Sequence, residues 1–261
     1  MIIIGEKLNT SIQKTMEAVQ NRDEEALIAL IRAQEEAGAD YQDVNAAVGG
    51  DELAGMQWLA GLVLKHSHGG IMLDSPSTEV IEDVIKKVGE RPVIVNSVTL
   101  SERLSLLPAI FEAGAAVVGL PMDGGGIPRT AEGRKKNAER LVDKITAAGI
   151  PPEKIFIDVL AESAAVADEN LMIALSSIPL INAIDPGIKT VCGVSNVSFG
   201  LPGRVNINCA FLSAAVAAGL QSAILDITSP AVKTALLSSL AVVGRDEYCL
   251  NYIAHMRGMK G

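Results

Sequence analysis

The chain is poor in the residues that stabilise small or metal-dependent folds. Aromatic residues make up 3% of its 261 residues, and it has three cysteines and three histidines. Cys192, Cys209 and Cys249 lie far apart with no Cys-x-x-Cys spacing, which predicts buried thiols rather than a disulfide framework or a zinc site. His66 and His68 lie near a predicted helix end, ahead of a strand, and we expect them to be solvated. We therefore predict no metal site.

Positive charge and long apolar runs are also scarce. The 31 acidic residues outnumber the 22 basic ones, so the net charge is −9. The chain also has no basic stripe of the kind that would predict contact with nucleic acid or anionic membranes. No apolar stretch approaches the ~18–20 residues that a membrane span requires. The chain passes from Met1 into a predicted strand with no charged leader or cleavage site, so we expect a cytoplasmic protein.

Short aliphatic runs alternate with helical segments along the whole chain. The eight runs cover residues 2–4, 41–44, 71–73, 93–95, 116–120, 155–157, 190–194 and 223–225. The predicted helices cover residues 11–20, 23–37, 53–65, 76–88, 101–113, 130–148, 168–177, 206–218 and 229–243. With no linker, this length and alternation predict one domain over residues 1–261, an α/β protein with a (β/α)8 TIM barrel. A doubly wound sheet is the alternative, but the segment after the first run lacks the Gly-x-Gly-x-x-Gly fingerprint.

A carboxylate or carboxamide ends or follows each aliphatic run. These residues are Glu6 with Asn9, Asp43 with Asn45, Asp74, Asn96, Asp123, Asp158, Asn196 and Asp226. The carboxyl ends of the strands meet at one mouth of such a barrel, where its active sites lie. Aspartate only accepts hydrogen bonds, whereas asparagine both donates and accepts. The ring therefore suits a neutral, nitrogen-rich ligand, and Asp74, Asn96 and Asp158 together could bind a fused heterocycle.

Two readings stay open for parts of this ring. Each of its residues could instead cap the helix that follows it, and Asp74 lies close enough to Thr78 to do so. The loop 122–129 has three successive glycines, which could cradle a phosphate or form a mobile rim; no Lys-Ser/Thr follows, so the phosphate-loop reading is the weaker one.

Several motifs resemble one known family. The segments IIIGEKLN, QDVNAA, MLDSPS, VNSVT, GLPMDGGGIP, FIDVL and GVSNVSFG resemble, in this order and over essentially the whole chain, the pterin-binding barrel of methyltetrahydrofolate:corrinoid protein methyltransferases. The chain departs from that pattern at Asp158-Val159, where an Asp-Pro pair is expected, and in the glycine-rich segment 199–204.

The resemblance implies a set of site residues. The substrate-binding residues would be Glu6, Asn9, Asp43, Asp74, Asn96, Gly119, Met122, Asp158, Asn196 and Ser198. Asp158 and Asn196 would also act in catalysis, with Asn196 hydrogen-bonding at N5 of the folate. The substrates would be tetrahydrofolate or methyltetrahydrofolate and a corrinoid, such as cobalamin, carried by a partner protein, because the chain has no Asp-x-His-x-x-Gly signature of its own. The family also implies a homodimer, to which the apolar segments 211–218 and 235–243 could contribute.

The expected chemistry is an SN2 methyl transfer between N5 and cobalt, as in one-carbon metabolism and anaerobic demethylation. Dihydropteroate synthase shares the barrel, but its pyrophosphate substrate needs a cationic cluster, and the late loops offer only Arg204. A non-catalytic folate-binding protein would have the same pocket. A Schiff-base aldolase is disfavoured because Lys189 precedes its strand. The upstream methyl donor and the direction of transfer stay open.

Overall fold

Eight parallel strands form a closed barrel in which each strand pairs with its neighbours in chain order, β1 to β8, and β8 returns to β1. The structure is a computed structural model that describes residues 1–258. The strands are β1 Ile2–Asn9, β2 Tyr41–Asn45, β3 Gly70–Asp74, β4 Val93–Thr99, β5 Ala116–Leu120, β6 Ile155–Asp158, β7 Lys189–Gly193 and β8 Ser222–Leu225. The predicted α/β barrel is confirmed.

Helices surround this barrel. They are α1 Gln13–Gln20, α2 Glu24–Ala37, α3 Glu52–His66, α4 Thr78–Ile85, α5 Leu107–Glu112, α6 Ala131–Ala147, α7 Asn170–Asn182, α8 Arg204–Ala217, α9 Pro230–Val242 and α10 Leu250–Gly258. Side chains at the helix starts explain several boundaries: Asp23, Asp51, Ser77 and Thr130 each accept a hydrogen bond from a backbone amide of the first turn. Among the described residues, none of these helices has the length and apolarity to cross a membrane.

The structure corrects several predicted boundaries. Strand β1 continues to Asn9 because a bulge between Gly5 and Leu8 restores its pairing with β2, so Glu6 and Asn9 lie within the strand rather than after it. Strand β4 likewise continues past Asn96 to Thr99. The predicted helix 101–113 is shorter, because Thr99 accepts backbone hydrogen bonds from residues 101 and 102 and holds that segment in a turn. Helix α7 continues through Pro179.

Two apolar cores lie on opposite sides of the barrel wall. The larger core fills the space between strands and helices, and its members include Leu8, Leu73, Val95 and Leu141. The smaller core fills the barrel interior and consists of Ile4, Met72, Ile94, Val118, Phe156 and Val191. Because side chains alternate across a strand, the residues two positions further on also face the interior. This alternation decides which polar side chains reach the mouth.

Candidate functional site

A polar layer lies directly above the apolar layer of the barrel interior. Two positions beyond the interior residues Ile4, Met72, Ile94 and Phe156 come Glu6, Asp74, Asn96 and Asp158, and the same alternation in β2 and β8 gives Asp43 and Asp226. Register supports this arrangement, since Asp74 pairs with Asn96 across β3 and β4. In β5 and β7 the matching positions are Leu120 and Gly193, so the polar ring is interrupted on either side of Asp158, and the gap at Gly193 of β7 is the open side of the ring.

Asp43 lies deeper than the rest of the layer. It pairs with Met72, one level below Asp74, and its side chain is 3% exposed. Asn9 hydrogen-bonds to it, yet its Oδ1 has no partner among the described residues. Burial, together with the charges of Asp74 and Glu6, raises the pKa of Asp43 well above its usual range. The site therefore contains a carboxyl group that is costly to ionise.

Asp74 faces the mouth and does not cap a helix. Its Oδ2 accepts a hydrogen bond from Asn45 Nδ2 at 3.0 Å, while Ser77 caps α4 by accepting from Val80 N. The helix-cap alternative is therefore wrong for Asp74. Burial raises the pKa of Asp74. Burial also raises the pKa of Glu6, although the hydrogen bond that Ser195 Oγ donates to Glu6 Oε1 at 2.7 Å acts to lower it.

Asp158 and Asn96 complete the part of the layer that we expected to bind a heterocycle. Burial raises the pKa of Asp158 to about 6, although the Leu160 amide donates to its Oδ1 at 2.6 Å and Arg134 acts on it as a nearby positive charge. The side-chain amide of Asn96 makes no hydrogen bond to any residue in the described part of the chain, 1–258. Both side chains are therefore available to a ligand.

Asn196 lies at the open side of the ring. It follows β7 in the 3-10 turn Val194–Ser198, is exposed, and its amide has no side-chain partner within residues 1–258. A Cβ at Gly193 would lie 2.8 Å from Asn196 Nδ2, so the glycine gives the amide its space. Arg204 fixes the turn by donating from Nη2 to Ser195 O at 2.7 Å and from Nε to Ser198 Oγ at 3.1 Å.

Other sequence-predicted residues lie outside the ring. Asp123 is turned outward, where its Oδ1 accepts from the Gly125 amide at 3.0 Å and its Oδ2 from Arg140 at 3.4 Å. The amides of Gly125 and Gly126 already donate to Asp123 Oδ1 and Asp123 O, and this counts against the phosphate-cradle reading. A side chain at Gly119 would meet Leu141 at 2.6 Å, so this glycine is required for packing against α6.

The remaining predicted residues have backbone or supporting roles in this structure. Met122 lies at the rim, half-buried, and its carbonyl accepts from the Leu100 amide at 3.2 Å. Ser198 is fully buried and engaged by Arg204, so it supports the turn that carries Asn196. Whether either residue contacts a substrate stays a prediction.

Residues that the sequence did not reveal also shape the site. Arg103 and Arg134 donate to loop carbonyls beside Asp74 and Asp158, and Lys7 forms an ion pair with Asp226 at 2.6 Å. An arginine in an amphipathic helix gives no sequence signal of this kind, because its usual place is at the surface. No group of three or more His, Cys, Asp or Glu residues within 1–258 could hold a metal. His66, which was expected to be solvated, is only partly so: the residue is half-buried, and its Nε2 is shielded from solvent without a partner among residues 1–258.

Comparisons with known proteins agree with this geometry. The family model described as pterin binding enzyme matches residues 5–226. Methylcorrinoid:tetrahydrofolate methyltransferase from Eubacterium limosum is 31% identical over 257 residues, covering 97% of this chain and 94% of that protein. Methionine synthase from Mycobacterium tuberculosis is 33% identical over 240 residues, covering 86% of this chain but 20% of that protein.

Solved structures agree with the fold. Dihydropteroate synthase from Stenotrophomonas maltophilia superposes with a TM-score of 0.70 at 19% identity, covering 93% of this chain and 92% of that one. The Xanthomonas albilineans enzyme in complex with 7,8-dihydropteroate superposes with a TM-score of 0.69 at 19% identity, with the same coverage. At this level of identity the likeness shows a shared barrel and nothing further.

Proposed function

The chain belongs to the pterin-binding enzymes, among the methyltetrahydrofolate:corrinoid protein methyltransferases, and we propose that it moves a methyl group between N5 of tetrahydrofolate and the cobalt of a corrinoid on a separate protein. The observation that carries this proposal is the polar layer, in which Asp74, Asn96 and Asp158 present acceptors and an amide to the barrel mouth while the Asn196 side chain lies unpaired, within residues 1–258, at the open side of the ring. The 31% identical relative is named for the same pair of substrates.

Asp74, Asn96 and Asp158 are assigned to the pterin ring. The ring carries an amino group, ring N–H groups and a carbonyl, which match two carboxylates as acceptors and one amide as donor and acceptor. Because Arg134 and Arg103 donate to backbone carbonyls beside Asp158 and Asp74, they leave the carboxylates for the ligand. A ligand that left these buried groups unpaired would lose about 1–3 kcal/mol for each, so the site discriminates strongly.

Asn196 is assigned to N5, the nitrogen that gains or loses the methyl group. When methylcorrinoid is the donor, the N5 lone pair attacks the methyl carbon, cobalt keeps the electron pair of the broken bond, and the N5 proton leaves to a neighbouring acid or water. In the reverse direction a hydrogen bond or proton at N5 makes the nitrogen a better leaving group. An amide can accept from the protonated nitrogen and donate to the neutral one, so Asn196 serves both directions.

Two alternatives use the same barrel. A dihydropteroate synthase would need cations for a pyrophosphate, but Arg204 is engaged by Ser195 and Ser198, and Lys7 is paired with Asp226. A folate-binding protein without catalysis would keep the pterin site and show no methyl exchange. An assay of methyl exchange therefore distinguishes a folate-binding protein without catalysis from the proposed methyltransferase.

The proposal extends to the partner and the assembly. The corrinoid arrives on another protein and reaches Asn196 from the open side of the ring. The homodimer and the cytoplasmic location stay predictions; the apolar segments that suggested the dimer include Phe211, Leu212 and Leu236, which are buried within this chain. Light scattering of the purified protein tests the dimer, and a monomer would overturn it.

Calorimetric titration with methyltetrahydrofolate tests the pterin site. Wild-type protein should bind with micromolar affinity, whereas Asn96→Ala and Asp158→Ala should lose binding because each removes a partner of the ring. Asn21→Ala, an exposed change at the end of α1, is the matched control and should bind like wild type. Absence of wild-type binding at millimolar ligand would refute the proposed function.

A further inference from the structure

We propose that Arg134 is a positioning residue that holds Asp158 in its pterin-binding geometry by clamping the turn that follows β6; this inference rests on the proposed function. Arg134 comes from α6, yet none of its side chain is exposed. Its Nη1 donates to Val159 O at 2.6 Å and Leu160 O at 3.1 Å, and its Nε donates to Pro128 O at 3.2 Å. One guanidinium therefore joins the loops after β5 and β6.

The clamped turn is the one that fixes the Asp158 carboxylate. Leu160 adopts φ 57°, a left-handed conformation that disfavours side chains other than glycine, and its amide donates to Asp158 Oδ1 at 2.6 Å. Such a conformation persists only where surrounding contacts hold it. Arg134 supplies these contacts through the carbonyls of the two peptide units that flank Leu160, Val159 O and Leu160 O.

Arg134 acts without occupying the carboxylate. Among residues 1–258, no ion pair within 4.0 Å joins Arg134 to Asp158, although each influences the charge of the other. An arginine paired directly with Asp158 would use the acceptors that the pterin needs. Placing the guanidinium on the backbone keeps the positive charge near the carboxylate and leaves its outer oxygen to the ligand.

A second arginine repeats this arrangement at the opposite side of the pterin site. Arg103, itself at φ 62°, donates to Ser75 O and Ser97 O, the carbonyls next to Asp74 and Asn96. It too forms no ion pair with a carboxylate within the described chain, and Asp74 lies close enough to act on its charge. Because the arrangement occurs twice, we infer that these arginines position the ligand-binding side chains next to the carbonyls that they contact.

The test combines affinity and titration in Arg134→Lys and Arg134→Met. The charged or titratable groups that act on Asp158 or Arg134 are Arg129, Glu162 and the thiol of Cys192. In the wild type, methyltetrahydrofolate affinity should fall as pH drops through about 6, where Asp158 becomes protonated. Arg134→Met removes a nearby positive charge that lowers the Asp158 pKa, so the midpoint should move to higher pH.

Arg134→Lys separates the charge from the clamp. A lysine keeps a positive charge but cannot span three carbonyls, so the pH midpoint should stay near that of the wild type while affinity falls about tenfold or more. Arg140→Met, on the same helix but half-exposed, is the matched control and should leave both quantities unchanged. Wild-type affinity and midpoint in Arg134→Lys and Arg134→Met would overturn the inference.

A ligand-free readout distinguishes failure of this inference from failure of the proposed function. The Asp158 carboxyl can be titrated by NMR in isotopically labelled protein, with Asp158→Asn identifying its signal. Arg134→Met should raise the Asp158 pKa and broaden or shift its resonance, while Arg140→Met should not. If Arg134→Met fails to fold, Arg134→Lys decides: an unaltered Asp158 resonance in Arg134→Lys would refute the clamp, whether or not the wild type binds folate.

Discussion

Asn196 is the residue whose chemistry the proposed reaction depends on most directly. The neighbouring polar side chains of its turn are engaged, since Ser195 donates to Glu6 and Ser198 accepts from Arg204, while the Asn196 amide has no partner within residues 1–258. An amide held at the rim by a fixed turn is pre-organised for the nitrogen whose charge changes during the transfer. Pre-organisation of this kind contributes more to rate than to ground-state binding.

Asn196→Ala should therefore separate binding from transfer. The pterin contacts of Asp74, Asn96 and Asp158 remain, so the dissociation constant for methyltetrahydrofolate should change little. The rate of methyl transfer should fall by about 10²–10³-fold, the loss that follows removal of one donor at a developing charge. Asn21→Ala should match wild type in both measurements. An unchanged transfer rate in Asn196→Ala would contradict the role assigned to this amide.

The turn after β7 is the element that leaves space for the Asn196 side chain. Gly193 takes the interior position at which β3, β4 and β6 carry Asp74, Asn96 and Asp158, and it leaves that space to the Asn196 amide. The glycine is required by this close approach rather than by its backbone conformation, because φ at this residue is −79°.

Gly193→Ala tests the turn without altering any proposed ligand. The new Cβ would lie 2.8 Å from Asn196 Nδ2, so the amide must move, and we expect transfer to fall about tenfold or more while the affinity for methyltetrahydrofolate is retained. Gly50→Ala is the control, since a Cβ there meets nothing within 4 Å. Transfer at the wild-type rate in Gly193→Ala would show that the position of Asn196 is not critical.

The elements also show what sequence could predict. Aliphatic runs located all eight strands, because strands of a buried parallel sheet are apolar on both faces. Because Asp74, Asn96 and Asp158 end or follow such runs, the sequence also predicted that they lie together at one mouth of the barrel. The end of β1 was missed because a bulge re-pairs Leu8 and Asn9 with β2, and α10 was missed because its apolar residues, such as Leu250 and Ile253, are exposed.

The clamping arginines could not be predicted for a different reason. Arg134 lies in a polar helix, and its burial depends on carbonyls from two loops: the loop just before α6, with Pro128, and the turn after β6, about 25 residues further along the chain. Likewise, Asp123 follows β5 as the other acids follow their strands, but a local turn and Arg140 direct it outward. Contacts of these kinds depend on how loops and helices are placed in space, so the residue pattern of one helix or strand does not predict them.

At the scale of the whole molecule, the polar layer opposes folding. Glu6, Asp43, Asp74 and Asp158 all have pKa values raised by burial, so the folded chain holds protons that the unfolded chain releases. A group with a raised carboxyl pKa destabilises the folded state progressively as pH rises from its unfolded pKa, about 4, through its folded pKa. Other interactions in the barrel must therefore offset the unfavourable free energy of keeping these carboxyl groups buried for the ligand.

Asp43→Asn should make the ligand-free protein more stable at pH 8. The amide resembles the neutral acid in shape and has no charge to bury, so the free energy of unfolding should rise by about 1–3 kcal/mol at pH 8 and change little near pH 4. Asp83→Asn is the control and should change the free energy of unfolding at pH 8 in the opposite direction, because hydrogen bonds from Lys87 and Gln57 lower the pKa of Asp83 and so stabilise its charged form. Urea unfolding at both pH values measures the effect; a loss of stability in Asp43→Asn at pH 8 would contradict this account of the layer.

The most direct test of the central claim follows the methyl group itself. Methyltetrahydrofolate carrying an isotopic label in its methyl group is mixed with the protein and reduced cobalamin, either free or on a corrinoid protein, and label on cobalt is measured over time. The account predicts transfer by wild type and Asn21→Ala, and its loss in Asn196→Ala despite retained folate binding. If the wild type binds methyltetrahydrofolate but leaves the label on N5 with both forms of cobalamin, the claim of methyl transfer is contradicted.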